Sequence, residues 1–264
     1  MKNYTLTNKL AWEEAFDFRS EAFDQRTLER LLHNPTALFT KELAELLQLD
    51  ASKDKRLAQY CCNNGRETLA ALHFGYCEAV GYDIAENMIE FANKMAISNA
   101  FNARFYATDL LKITPPKVLF DTGLLTVGAM CWFDDLKALF HSISTTLKKG
   151  AHLIIEDSHP FCNMLAEKAD PKFVKAYPNL PVIDYFKTSP WVENTGMGYM
   201  ATGGYESKTF ISYSHTMSSI INALIESGFM IEKFIENPID QSSLFPHLDS
   251  KGLPLTYLLV AKKQ

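Results

Sequence analysis

Apolar positions along the chain alternate between strand-like and helix-like spacing from residue 56 onward. Short apolar runs predict buried strands, and apolar residues recurring every three or four positions predict amphipathic helices. The strands predicted on this basis lie at 56–61, 77–84, 103–109, 119–128, 151–157, 230–237 and 255–263. Helices are predicted at 66–74, 86–98, 134–150 and 215–229.

The segment 134–150 is the best-marked helix. Its apolar residues fall on one stripe, and an Asp pair opens it. Lys148 and Lys149 are expected in its last turn, where they complement the helix dipole, with Gly150 as the stop. The strand before it, at 119–128, has too little polar alternation for a half-exposed position, so we expect it at the centre of a sheet.

Successive strand–helix units predict a fold of the α/β class. Such units pair in parallel through right-handed crossovers, which gives a doubly wound sheet. The last two strands break the rule, because only a loop with Pro238, Pro246 and Pro254 joins them. One of those two strands is therefore expected to run antiparallel to the rest.

The domain prediction is a single unit covering residues 1–264. A core at 51–157 and 215–264 carries the sheet, and residues 1–50 form a helical segment before it. Residues 158–214 form a long insertion after the fifth strand, rich in aromatic residues, Pro and Gly. Connections of this length are usually functional or disordered, and the aromatic content argues against disorder.

Charge and composition limit the classes of molecule that the chain is expected to bind. The chain has 26 Lys and Arg against 31 Asp and Glu and no dense basic run, so nucleic acid is not an expected partner. No signal-peptide core or membrane-length apolar stretch is apparent, which predicts a soluble, cytoplasmic protein without membrane contact. Five cysteines without zinc-site spacing are expected to be free thiols, and no metal is predicted.

The turn after the first strand reads YCCNNGRETLAAL at residues 60–72. In doubly wound sheets this turn cradles the ligand. A nicotinamide-type GxGxxG would place its glycines at Cys61, Asn63 and Arg66, which does not fit, and no GxxxxGK[ST] phosphate loop is present. The turn itself therefore indicates neither a dinucleotide nor a nucleoside triphosphate.

Four blocks in order resemble a class I S-adenosylmethionine-dependent methyltransferase: residues 57–72, 80–92, 103–111 and 120–157. The resemblance is greatest to a bacterial branch in which Cys-Asn-Asn-Gly-Arg-Glu-Thr replaces the glycine-rich turn. The glycines of the usual G-x-G-x-G turn fall on Cys61, Asn63 and Gly65. Asn tolerates unusual backbone angles, so Asn63 can stand in for glycine. The family implies a Rossmann-like sheet of seven strands in the order 3-2-1-4-5-7-6 with the last antiparallel, an N-terminal helical lid and an inserted cap after strand five.

The resemblance also implies which residues hold S-adenosylmethionine. Asp83 would accept hydrogen bonds from the ribose hydroxyls. The turn would contact the amino-acid part through Cys61, Cys62, Asn63, Asn64 and Gly65. Asp109 and Leu110 would contact the adenine, and Ile84 and Met88 would pack on the adenine and ribose. Thr126 and Val127 would contact the methionine part. Alternative readings stay open, with Asp83 as a helix cap, Asp109 as a turn residue and Met88 as core.

Acceptor contacts are expected from the lid, from the loop after the fourth strand and from the insertion: Trp12, Trp132, Tyr185, Trp191 and Tyr205. Trp12 and Trp132 can equally be packing residues. His159, directly after the fifth strand, is the candidate general base, although a lone His beside Pro is more often structural.

The predicted activity is methyl transfer from S-adenosylmethionine to a small molecule, with release of S-adenosylhomocysteine, by a monomer or homodimer. Two other classes stay open: a nicotinamide-dependent oxidoreductase, and a non-catalytic cofactor-binding or scaffold protein. An oxidoreductase needs a pyrophosphate turn and a hydride-transfer residue set, neither of which is identifiable. The altered turn at Cys61 and Asn63 is the feature that favours a scaffold.

Overall fold

The computed structural model describes residues 4–201 and 205–264. Within these ranges the α-helices are α1 (Tyr4–Asp17), α2 (Glu21–His33), α3 (Lys41–Asp50), α4 (Arg66–Ala71), α5 (Glu86–Ser98), α6 (Leu136–Thr146) and α7 (Met217–Glu226). The strands are β1 (Arg56–Tyr60), β2 (Glu78–Asp83), β3 (Ala103–Ala107), β4 (Phe120–Leu125), β5 (Leu147–Ser158), β6 (Trp191–Thr195), β7 (Glu206–Ser212), β8 (Phe229–Asn237) and β9 (Thr256–Lys263). The expected lid and cap segments also include residues 1–3 and 202–204, which lie outside the described ranges.

Seven strands form one sheet in the order β3-β2-β1-β4-β5-β9-β8. The strands β1 to β5 pair in parallel, whereas β9 runs antiparallel to both β5 and β8. The predicted order and the antiparallel last strand are confirmed. The physical reason is that no α-helix connects β8 to β9, because a parallel pair needs a crossover.

The end of α6 differs from the prediction. The helix ends at Thr146, and Lys148 and Lys149 belong to β5 rather than to a last helical turn. The register between β4 and β5 shifts near Gly150, which has a φ of 81°, and the Lys148 Nζ lies 2.6 Å from the Asp121 Oδ1. Gly150 therefore lies at an irregularity in the pairing of β4 with β5 and does not end a helix. Lys148, which was expected to interact with the helix dipole, instead forms an ion pair with Asp121 of β4.

Both faces of the sheet are covered. Leu153 and Ile155 of β5 face a core that α6 and α7 complete, whereas Ile154 faces a second core with Leu43 and Leu47 of α3. Side chains alternate between faces along a strand, so Glu156 follows Ile154 on the α3 face. The carboxyl group of Glu156 therefore lies on the face of the sheet that α3 covers.

The first helix and the insertion pack on each other. The Asn8 amide of α1 donates to the Ile211 carbonyl oxygen of β7 and accepts from the Ile211 backbone N–H, both at 2.8 Å. β6 and β7 form a two-stranded antiparallel sheet, and the Trp12 ring meets the Phe210 ring edge-on at 5.4 Å. These contacts join the beginning of the chain to the segment after β5.

Across the described parts of the chain, no helix has both the length and the apolar character needed to cross a bilayer. Nor do three or more His, Cys, Asp or Glu side chains among those residues group as metal ligands. The five cysteines are all free thiols.

Candidate functional site

A cavity of about 820 Å³ lies at the carboxyl ends of β1, β2, β4 and β5. Its volume is within the range of about 300–1,000 Å³ that is usual for small-molecule sites. The sequence-predicted residues on its wall are Cys61, Cys62, Asn63, Asp83, Ile84, Asp109, Leu110, Thr126, Val127, Trp12 and Trp132. The fold thus brings residues from five separate chain segments to one cavity, as expected for the edge where strand order reverses.

The turn after β1 places every second residue in the left-handed region. The φ angles are 55° at Cys61, 52° at Asn63 and 78° at Gly65. These are the three positions that a G-x-G-x-G turn gives to glycine. The backbone path of a glycine-rich turn is therefore present with two non-glycine residues on it. Asn63 adopts such angles readily, whereas Cys61 is strained by about 1–2 kcal/mol.

Gly65 is needed for space as well as for its backbone angle. A Cβ at this position would lie 2.6 Å from the Phe105 ring and 2.8 Å from the Ala92 Cβ. Gly65 also begins α4 as its N-cap. The turn therefore packs directly against β3 and α5.

Asp83 ends β2 with its carboxylate held by the turn. The Asp83 Oδ2 accepts from the Asn63 backbone N–H at 2.8 Å, and the Oδ1 accepts from the Ala85 N–H at 3.1 Å. Burial raises the pKa of Asp83, and hydrogen bonds from backbone N–H groups oppose the rise. Each oxygen keeps a lone pair, so the group can accept two further hydrogen bonds from a ligand in the cavity.

Asp109 and Leu110 follow β3 at the same edge. The Asp109 Oδ1 accepts from the Leu111 N–H at 3.0 Å and caps a short 3₁₀ turn, and the Oδ2 lies 3.2 Å from the Lys112 Nζ. The side chain thus fulfils the structural role that the sequence left open, while the residue still lines the cavity. Leu110 is buried and gives this wall an apolar surface.

A network of side-chain hydrogen bonds links β1, α4 and the end of β4. The Glu67 Oε2 accepts from the Gln59 amide at 2.9 Å and from the Thr126 hydroxyl at 2.6 Å. The Thr68 hydroxyl donates to the Gln59 Oε1 at 2.6 Å. Both Glu67 and Thr126 line the cavity, so this network fixes one of its walls.

Glu156 of β5 brings a further carboxyl group to the cavity. The residue is only 4% exposed, and its Oε1 accepts from the Thr40 hydroxyl at 2.5 Å. Burial raises the pKa of Glu156 to about 7, the Thr40 hydrogen bond opposes the rise, and the charges of Glu67, Glu42 and Asp157 add to it. A carboxyl group with such a pKa can exchange a proton at neutral pH.

An aromatic wall closes the cavity beside α1. The Trp12 and Trp132 rings meet edge-on at 5.3 Å, and both contact Phe210. On the side of the insertion, Tyr199 lines the cavity, and the Asn63 amide donates to its hydroxyl at 3.3 Å. The turn, α1 and the insertion therefore enclose one space.

Residues 58–150 match the model of a methyltransferase domain. The chain therefore carries a methyltransferase domain. An uncharacterized protein from Haemophilus influenzae is 25% identical to this methyltransferase, over 89% of this chain and 92% of the relative.

Solved structures show the same fold. The structure of an S-adenosylmethionine-dependent methyltransferase from Listeria monocytogenes has a TM-score of 0.62 at 18% identity, covering 93% of this chain and all of the other. One from Mesorhizobium loti has a TM-score of 0.62 at 21% identity, covering 88% and 100%. A geranyl diphosphate C-methyltransferase from Streptomyces coelicolor, bound to S-adenosylhomocysteine, has a TM-score of 0.63 at 13% identity, covering 100% and 99%.

Three residues expected to hold the donor lie behind the cavity wall of the methyltransferase. Gly65 packs against Phe105, and Asn64 is buried, with its Oδ1 accepting from the Arg66 N–H at 3.4 Å. Met88 is 1% exposed and packs with Phe16 and Phe210, as in the alternative that the sequence left open. These three residues shape the turn and the adjoining core without lining the cavity.

His159, the candidate base, lies outside the cavity. Its Nδ1 accepts from the Phe161 N–H at 3.1 Å as a cap, and its Nε2 lies 3.1 Å from the Glu236 Oε1. Burial lowers the pKa of His159, and Glu236 opposes the change. Both ring nitrogens are thus engaged in local contacts, which is the structural role that a His before Pro usually has.

Three aromatic residues predicted for the acceptor site also lie outside the cavity. The Tyr185 hydroxyl accepts from the Met217 N–H at 2.9 Å, and the Trp191 indole N–H donates to the Ser214 hydroxyl at 2.9 Å. Tyr205 packs on Phe18 with ring centroids 4.7 Å apart and the ring planes tilted by 30°. The polar groups of the first two fix the insertion to its own surroundings, so its aromatic content serves mainly to pack the insertion.

Sequence reasoning missed several wall residues of the methyltransferase. They come from the segments before the sheet, from α4, from β5 and from two loops: Tyr4, Asn8, Phe23, Arg26, Arg30, Phe39, Thr40, Glu67, Glu156, Met197 and Gln241. A signal was available for one of them. Glu156 interrupts the apolar run LII of a buried strand, and charged residues are rarely fully buried without a purpose.

The strain at Cys61 gives a first prediction. Cys61→Gly is expected to keep or raise the free energy of unfolding by up to about 1 kcal/mol, since glycine relieves the left-handed strain but costs chain entropy. Cys61→Val is expected to lower it by about 2 kcal/mol, because a β-branched residue tolerates this conformation worst. Urea unfolding measures both. Cys77→Val, at an exposed position, is the control, and equal stability of the two Cys61 variants would contradict the strain.

Proposed function

We propose that this methyltransferase transfers a methyl group from S-adenosylmethionine to a small-molecule acceptor and releases S-adenosylhomocysteine. The observation that carries the proposal is that one cavity is lined by Asp83, by the left-handed turn and by Glu156 and Thr40. Asp83 and the turn offer ligands for a nucleoside, and we place the second molecule beside Glu156 and Thr40.

The residues around Asp83 and the turn fit the donor. The Asp83 carboxylate would hold the ribose hydroxyls, and Ile84 and Leu110 offer apolar surface to the adenine. Asn63 offers its amide to the amino-acid part. The aromatic faces of Trp12 and Trp132 suit a cation near them. The donor supplies an electrophilic methyl group on a sulfonium.

Catalysis by this chain rests mainly on positioning and on exclusion of water. Methyl transfer is an in-line displacement, in which alignment of the two partners lowers the barrier most. We propose that residues 1–50 act as a lid and 158–214 as a cap of one domain, because α1 and the insertion bind each other and both line the cavity. Closure by these segments would remove water from the reacting atoms.

The small size of the acceptor is proposed from the enclosure of its end of the cavity. Side chains of α3, of the residues just before it and of the loop after β8 surround that end, namely Leu43, Phe39 and Leu244. The Streptomyces coelicolor relative in fold acts on geranyl diphosphate, so this architecture can hold a small molecule. We place the reaction in the cytoplasm, where the free thiols stay reduced.

Ligand-dependent melting tests the donor. S-adenosylmethionine and S-adenosylhomocysteine are each expected to stabilise the protein, by about 2.7 kcal/mol at 100 times the dissociation constant. NAD(H) at the same concentration is expected to leave the melting temperature unchanged. Stabilisation by NAD(H) alone would indicate an oxidoreductase, and no stabilisation by any of the three would indicate a scaffold.

A further inference from the structure

We propose that the methyl acceptor is an amine and that Glu156 takes the proton that its nitrogen gives up. This rests on the methyl transfer proposed above. It names an acceptor class and a catalytic residue for that reaction.

The carboxyl group of Glu156 is positioned to face a bound molecule. Its backbone pairs with Leu258 in β9 within the central part of the sheet, so the base of the side chain is fixed. Thr40 accepts from the Leu43 N–H as the N-cap of α3 and gives its hydroxyl proton to the Glu156 Oε1. The Oε2 has no hydrogen-bond partner in residues 4–201 and 205–264, and Glu156 lines the cavity. One oxygen is therefore held and the other is available.

The charges around Glu156 favour a cation next to it. Glu67 from α4, Glu42 from α3 and Asp157 from β5 are the charged groups that raise its pKa. Arg66 lies 3.5 Å from Glu67, and Glu156 has no ion pair among the described residues. Arg26 and Arg30 of α2 also line the cavity, but both are exposed, so solvent screens their charges. Anionic acceptors would meet net repulsion here, and an ammonium group would be attracted.

Proton transfer distinguishes an amine from a hydroxyl acceptor. When an ammonium gives its proton to a carboxylate, both groups become neutral, which a buried site favours. When a phenol or alcohol does so, a negative charge is only moved from one group to the other. A thiol ionises without a base of this kind. The buried, unpaired carboxyl group therefore matches a protonated nitrogen.

The reaction step balances as follows for a primary ammonium acceptor. An N–H bond breaks, its electron pair stays on nitrogen, and the proton moves to the Glu156 carboxylate. The nitrogen pair then forms the N–CH₃ bond while the C–S bond of the sulfonium breaks with its pair on sulfur. The products are a methylammonium, neutral S-adenosylhomocysteine and a protonated Glu156, which returns its proton to solvent.

The first test identifies the methylated atom. The full-length protein is incubated with methyl-labelled S-adenosylmethionine and a small-metabolite extract, and the product is analysed by mass spectrometry and NMR. An N-methyl product supports the inference, and methylation of oxygen, sulfur or carbon overturns it. Donor stabilisation without any labelled product would contradict methyl transfer itself, so the two proposals fail in different ways.

The second test asks what Glu156 does. On the identified acceptor, Glu156→Gln is expected to lower kcat at least 100-fold with an unchanged dissociation constant for S-adenosylhomocysteine, because Gln keeps an oxygen for Thr40 but cannot take a proton. The wild-type kcat/KM is expected to rise with pH through about 7 as Glu156 ionises, and E156Q should lack this rise. Glu45→Gln, at an exposed position of α3, is the control. Retained kcat, or a retained pH-dependent rise, in E156Q would overturn the role.

Discussion

Replacing Asp83 with alanine is expected to lower the affinity for S-adenosylhomocysteine at least 100-fold. A hydrogen bond from a neutral donor to a charged acceptor contributes about 1.5–3 kcal/mol, and the proposed ribose site has two of them. The loss is larger if the turn relaxes, because the Asp83 Oδ2 also holds the Asn63 backbone N–H at 2.8 Å. Isothermal titration calorimetry measures the change, and circular dichroism checks that the variant is folded.

Two further variants make the Asp83 result specific. Asp83→Asn keeps one oxygen and is expected to retain an intermediate affinity. Asp54→Ala removes an exposed carboxylate before β1, at the opposite edge of the sheet, and should bind like the wild type. Unchanged affinity in the folded Asp83→Ala protein would remove the ribose assignment while leaving the fold untouched.

The largest effect on stability is expected at Gly65. Gly65→Ala should lower the free energy of unfolding by about 2–5 kcal/mol. A left-handed angle costs a non-glycine residue about 1–2 kcal/mol, and forcing an atom into a packed site adds about 1–3 kcal/mol. Here the added Cβ would lie 2.6 Å from the Phe105 ring, which cannot move without disturbing α5. Urea unfolding at constant temperature measures the difference.

Gly228 supplies the matched control for Gly65. Its φ is 84°, close to the 78° of Gly65, and nothing lies within 4 Å of a Cβ built on it. Gly228→Ala is therefore expected to show the backbone cost alone, about 1–2 kcal/mol. If both variants lose the same stability, the contact with Phe105 and Ala92 contributes nothing and the packing argument is wrong.

The strands and their directions were predictable from local patterns, whereas their order came from the resemblance to the methyltransferase family. The apolar runs marked the strands, and the missing helix between β8 and β9 indicated an antiparallel strand. The helix at Glu86–Ser98 was predicted at its observed bounds, since its apolar face repeats regularly. Lys148 and Lys149 were assigned wrongly because helix-ending residues also fit a bulged strand, and only the pairing of Leu147 with Phe120 separates the two.

The proposed donor end of the site was predictable for a related reason. Cys61, Asn63, Asp83, Asp109 and Thr126 each lie at the end of a strand or within three residues after it, and parallel strands bring their carboxyl ends together. The acceptor end was not, because Thr40 and Glu156 are 116 positions apart in the sequence and belong to different layers. His159 and Trp191 looked suitable by residue type, but their polar atoms are used in local contacts.

The sequence by itself determined the strands, their directions and the sheet edge at which the cavity lies, because hydrophobic periodicity and connection type act over a few residues. Only the tertiary structure decided which side chains face the cavity, since side-chain direction depends on packing between distant segments. It also decided that Cys61 adopts a glycine-like backbone angle and that Glu156 is buried without a charge partner in the described chain. Both properties arise from neighbours that the local sequence does not contain.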